Sequence, residues 1–137
     1  MSDIEYIIET ALSCQREGRL EEAARIYNQV LEIEPKQPDA IHLLGMVAFA
    51  NQDYEEAVRL INEAVILNPT VSDYHLNLSS VYLASNQHAL AKSHAKVAIK
   101  LNPNMSEAHY NLGIILFAEG NINQSIVAFK RSLDLDP

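Results

Sequence analysis

Five histidines, one cysteine and a pair of adjacent serines are the residues of this chain whose types invite chemistry. His75 and His109 stand 34 residues apart and so occupy equivalent places in neighbouring segments. Stacked helices have axes about 8–10 Å apart, too far for two such imidazoles to share a metal unless their side chains converge. Neither H-E-x-x-H nor C-x-x-C spacing occurs, so neither a metal nor a cofactor is expected. These histidines are expected to sit half-buried between neighbouring A helices. Cys14 has no histidine or base expected close enough to lower its pKa, and it reads as a small buried hydrophobe rather than a nucleophile. Ser79-Ser80 lacks the strand–turn–helix context of an esterase nucleophile. With no glycine-rich phosphate loop either, the segment is not expected to be an enzyme.

Charge narrows the partners further. The net charge is −8 and is unevenly spread. Residues 1–35, 36–69, 70–103 and 104–137 carry −5, −3, +2 and −2. Nucleic acid is excluded as a natural partner, because phosphate neutralisation requires a basic stripe. Lys92, Lys96 and Lys100 share one helix face at i,i+4 spacing and read as a solvated outer face. No apolar run approaches the roughly 18 residues that suggest a membrane span, and the first residues do not form a secretory signal. A single cysteine allows no internal disulfide and suits a reducing compartment, so a cytoplasmic location is expected.

The elements that position these residues follow from a strict repeat. Prolines fall at 35, 69, 103 and 137, each after an apolar residue and an acid or amide. Small residues recur in two columns, Ala11, Gly45, Ser79 and Gly113, then Ala23, Ala57, Ala91 and Ser125. Small side chains there let two helices of a unit approach closely. Leu44, Leu78 and Leu112, with Leu31, Val65, Ile99 and Leu133, supply bulk between units. Ser2-Asp3-Ile4-Glu5 has the S-x-x-E form of a capping box opening the first helix. Gly18, Asn86 and Gly120 suit left-handed turns between helices, whereas Gln52 is less suited and Asn51 is expected to take that role. A lone helix pair cannot bury both apolar sides, so each unit depends on its neighbours.

The sequence His109-x-x-Leu112-Gly113-x-x-Leu116, followed by Ser125-x-x-x-Phe129 and Pro137, resembles a tetratricopeptide repeat, whose pattern is W-x-x-L-G-x-x-Y, A-x-x-x-F and P at this period. Leu44, Gly45, Ala57 and Pro69 carry the resemblance in the second unit, and Leu78, Tyr82, Ala91 and Pro103 in the third. The first keeps Gly18, Ala23, Tyr27 and Pro35. Ile7, Ile41, His75 and His109 stand where the pattern has tryptophan. The resemblance implies an all-α fold, a right-handed α-solenoid of four tandem 34-residue helix–turn–helix repeats at about 2–35, 36–69, 70–103 and 104–137. It forms a single domain over 1–137, with the first helix of each repeat on the concave side. The last helix carries Ile126, Phe129, Leu133 and Leu135 with nothing after it to cover them. The chain is therefore expected to be the N-terminal part of a longer protein, or to self-associate through that repeat.

The resemblance also implies a binding groove. His42, Met46, Phe49, Asn77, Leu83, Tyr110, Asn111, Ile114 and Phe117 are the candidate peptide-binding residues on the concave face. Ile8, Leu12 and Leu76 fall in the same columns. The strip is apolar, and Asp39, Asp73 and Glu107 flank it, so the expected ligand is an apolar protein or peptide segment with basic flanks. Some tetratricopeptide domains clamp a C-terminal carboxylate with bases, but Ile8, His42, Leu76 and Tyr110 stand where bases would be wanted. Asn77 and Asn111 resemble the asparagine ladder of glycosyltransferase arms. The expected function is a protein-interaction scaffold. Two alternatives stay open: a substrate-recruiting arm of a larger glycosyltransferase- or sulfotransferase-type enzyme, and a self-assembling structural repeat protein.

Overall fold

The computed structural model describes residues 2–137 and contains no strand among them. Eight helices follow one another: α1 (Asp3–Arg16), α2 (Leu20–Ile33), α3 (Pro38–Ala50), α4 (Tyr54–Leu67), α5 (Ser72–Ala84), α6 (His88–Leu101), α7 (Ser106–Ala118) and α8 (Ile122–Leu135). Each repeat thus has an A helix (α1, α3, α5, α7) and a B helix (α2, α4, α6, α8). The chain divides into two compact units, Met1–Pro69 and Thr70–Pro137, so the break falls on a repeat boundary. None of the described helices is long and apolar enough to cross a membrane.

Local chemistry sets the helix ends. Ser2 Oγ accepts from the Glu5 backbone N–H at 3.2 Å and the Glu5 carboxylate accepts from the Ser2 N–H at 2.8 Å, completing the capping box. Every A helix closes with the same pair of bonds. Gly18 N–H donates to the Gln15 carbonyl and Arg19 N–H to that of Cys14, and the pattern recurs at Gln52 and Asp53, Asn86 and Gln87, and Gly120 and Asn121. This Schellman arrangement requires a left-handed residue at one fixed step after the helix. Gln52 therefore takes it, with φ of 62°, and Asn51 caps the helix with φ of −84°. The expectation that Asn51 would be left-handed is corrected by that fixed hydrogen-bond register. The B helices end on Glu34, Asn68, Asn102 and Asp136, each pushed to φ between −125° and −148° as the residue before proline.

Within each unit the small columns lie at the seam of A and B helices. Ala11, Ser79, Ala23, Ala57 and Ala91 are fully buried and Ser125 nearly so. A β-carbon added at Gly45 would sit 2.8 Å from Ile61 Cγ1 and 3.3 Å from the Ala57 carbonyl oxygen, so only glycine permits that approach. In the first unit Ile8, Ala11, Cys14, Tyr27, Val30 and Val47 form the buried cluster, with Leu31 and Leu44 packed against it. In the second, Leu76, Ala98 and Ala108 are joined by Ile99 and Met105. Cys14 is buried as expected. Leu133 remains 60% exposed.

Candidate functional site

In the first unit the A-helix face belongs to α1 and α3. Met46 and Phe49 are half-buried there, and the Phe49 ring meets Tyr54 with centroids 5.9 Å apart. His42 and Ile8, expected on the open face, are buried at 7% and 8% exposure. A recess of about 290 Å³ opens beside Ile8, lined by Glu5, Glu9, Gln37 and Asp39. Three carboxylates around one recess favour a basic side chain, because opposite charge is worth most where water is partly excluded. Glu9 and Gln37 were absent from the sequence-derived set. Gln37 precedes α3 and caps it, its Oε1 accepting from the Ala40 N–H at 3.0 Å, so a helix-face pattern passes over it.

In the second unit the equivalent face belongs to α5 and α7. Tyr110 is 52% and Phe117 61% exposed, while Leu83, Asn77 and Ile114 are half-buried. The Tyr110 ring leans on Phe129 of α8, centroids 5.8 Å apart. Asn111 is buried instead of open: its Nδ2 donates to Ser80 Oγ at 3.0 Å, and Ser80 Oγ donates to the Leu76 carbonyl at 3.3 Å. Asn111 therefore ties α7 to α5. Leu76 is also buried, in the cluster with Ala98 and Ala108.

The residues that first invited chemistry are dispersed or enclosed. His75 is buried and meets its own B helix, with Nδ1 3.3 Å from His94 Nδ1. His109 Nε2 lies 2.9 Å from the Pro103 carbonyl oxygen. No group of three or more potential metal ligands occurs among the described residues. Ser79 Oγ is buried with no hydrogen-bond partner among them. Of the lysine run, Lys96 and Lys100 are exposed, but Lys92 Nζ pairs with Glu119 at 3.0 Å and so bridges α6 to the end of α7.

Known proteins agree with this geometry. Among solved structures, MamA 41-end from Desulfovibrio magneticus RS-1 superposes with a TM-score of 0.84 at 25% identity, covering 100% of this chain and 78% of that one. YrrB, described as a TPR protein with an unusual peptide-binding site, gives 0.79 at 26% identity over 96% of this chain and 68% of its own. The Thermobaculum terrenum O-GlcNAc transferase gives 0.79 at 33% identity, and the match covers 82% of this chain but 22% of that protein. No curated protein sequence matches the chain significantly. Tetratricopeptide repeat family matches cover residues 15–79, 72–105 and 106–137. With four helix pairs, small seam columns and left-handed turns in one register, this chain belongs to the tetratricopeptide repeat family.

Proposed function

We propose that this chain is a protein-interaction module that holds a polypeptide segment against the faces of its A helices. The exposure of Tyr110 and Phe117 on α7 carries this reading. Large aromatic side chains left open on a helix face, beside half-buried Ile114 and Leu83, are what a partner's apolar side chains would cover. Burial there contributes about 25 cal/mol per Å² of apolar area, less the cost of ordering the segment. Asn111, buried and donating to Ser80 Oγ, ties α7 to α5 beneath that surface rather than meeting the ligand. Met46 and Phe49 offer the same kind of surface in the first unit. The acidic recess at Glu5, Glu9 and Asp39 favours Lys or Arg flanking the apolar stretch. The first unit carries thirteen acids against five bases and the second five against five, so a basic flank is favoured most in a ligand of the first unit. Absence of a disulfide suits a cytoplasmic setting.

The test is binding of fluorescein-labelled peptides with a Leu- and Phe-rich centre and Lys at one end. Phe117→Ser should weaken binding at least about tenfold, the loss of one well-buried aromatic contact. Lys96→Ala should not change it. Binding that follows Lys96 and Lys100 and ignores Phe117 would overturn the reading.

A second reading, a substrate-recruiting arm of a larger modification enzyme, draws on the 33% identity with part of an O-GlcNAc transferase. The full reading frame decides it directly. A third, self-assembly, draws on α8, where Ile126, Val127 and Leu133 are 45%, 68% and 60% exposed.

A further inference from the structure

The third repeat differs from the others in one interior layer. His75, Tyr82 and His94 meet there. A step of 34 residues replaces them with Ile41, Ala48 and Leu60, and two steps with Ile7, Cys14 and Ile26. The fourth repeat has His109, Leu116 and Ala128. Only the third brings two imidazoles and a phenol into contact at this level. The His94 ring stacks on His75 at 5.6 Å and 22° and on Tyr82 at 5.6 Å and 20°. His75 and Tyr82 are buried at 7% and 8%, and His94 is half-buried.

The contact between the two Nδ1 atoms, 3.3 Å apart, has a stoichiometric limit. One Nδ1 must carry the proton and the other must offer its lone pair. A neutral pair satisfies this, and so does a pair with one added proton. Two imidazolium rings do not, since both Nδ1 atoms then carry hydrogen and both rings carry positive charge. Asp73, Tyr74, His75 and Tyr82 are the titratable groups of α5, Glu107, His109 and Tyr110 those of α7, and Glu119 caps α7. Glu119 is taken by Lys92. On α6 itself stand His88, Lys92, Lys96 and Lys100 and no acid.

We propose that the His75–His94 contact is a proton-operated joint, which holds α5 to α6 at neutral pH and releases them as pH falls through the histidine range. Burial, and then the nearby His75, push the His94 imidazole below the usual histidine range. A folded pKa below the unfolded one means that the unfolded chain takes up the proton first. The stabilisation is therefore complete above the unfolded value and is lost as pH falls through it toward the folded value. Because α5 carries Asn77 and Leu83, acidification also disturbs half of the second unit's binding face. That consequence rests on the peptide-binding reading; the joint itself does not.

The experiment compares urea unfolding of the full chain at pH 7.5 and pH 5.0, for the parent and for His94→Leu, which puts at this position the residue that Leu60 supplies in the second repeat. The parent midpoint should shift down between the two pH values by clearly more than that of His94→Leu, since the other four histidines are common to both. His94→Gln, polar and without a titration in this range, serves if the leucine variant misfolds and should show the same flattened response. Equal pH shifts in parent and variants would overturn the joint. Peptide binding at the two pH values, measured beside unfolding, separates the two readings: a failed peptide assay with a pH-dependent midpoint sinks the groove and leaves the joint standing.

Discussion

The Phe129 ring lies so close over Gly113 that a β-carbon there would stand 2.6 Å from both Cδ1 and Cε1. This is the A–B seam of the last repeat at its tightest, and it has a counterpart at Gly45 against Ile61. The two sites differ in what can yield. Phe129 is half-buried and can swing outward, whereas Ile61 is fully buried and the Ala57 carbonyl is backbone. Replacing either glycine by alanine gains about 1 kcal/mol of helix propensity, while overpacking costs about 1–3 kcal/mol. Gly45→Ala should therefore be the more destabilising, and Gly113→Ala close to neutral. Urea melts of both variants check the order, and the reverse order would show that the seam of the fourth repeat is the more rigid one.

Ser79 provides a stabilising change. Its hydroxyl is buried without a partner among the described residues, in a column otherwise made of alanine and glycine. A buried polar group left unsatisfied costs about 1–3 kcal/mol. Ser79→Ala should raise stability by about 1 kcal/mol. Ser125→Ala is the contrast, because Ser125 Oγ donates to the Ile122 carbonyl at 2.7 Å. Its effect should stay within about 0.5 kcal/mol. Thermal melts in which Ser79→Ala lost stability would mean that the hydroxyl has a partner in solution.

Overpacking the second small column should be costly. Ala57 and Ala91 are fully buried, so Ala57→Leu or Ala91→Leu should each cost about 1–3 kcal/mol. Lys96 is exposed, and Lys96→Ala should change stability by less than about 0.5 kcal/mol. Circular dichroism during urea titration ranks the three.

Self-association through α8 is testable without disturbing the seam. Phe129 packs on Gly113 and Tyr110, so a charge there would also disrupt the repeat. Leu133 and Ile126 are better targets, at 60% and 45% exposure. Leu133→Glu with Ile126→Lys should abolish any concentration-dependent rise in mass seen by light scattering, at unchanged helical content. A parent that stays monomeric to millimolar concentration would remove self-assembly from consideration.

Much of this molecule is legible in the order of its residues. The 34-residue step, the proline after each B helix and the small columns place all eight helices and their seams, because these are consequences of backbone sterics and of how close two helices can come. The turns are nearly as legible: Gly18, Asn86 and Gly120 announce a left-handed residue, and only Gln52 hides it, since hydrogen-bond register overrides its poorer preference. Exposure within a column is another matter. Tyr110 and Asn111 are adjacent on α7, yet Tyr110 is open while Asn111 is buried against Ser80, 31 residues earlier. Periodicity states the direction of a side chain about its own helix. How much of it meets water depends on side chains brought in by other helices, and those are decided by packing. The contact of His75 with His94 and Tyr82 is of the same kind: each residue is unremarkable in sequence, and the chemistry of the pair exists only because α5 and α6 close upon one another.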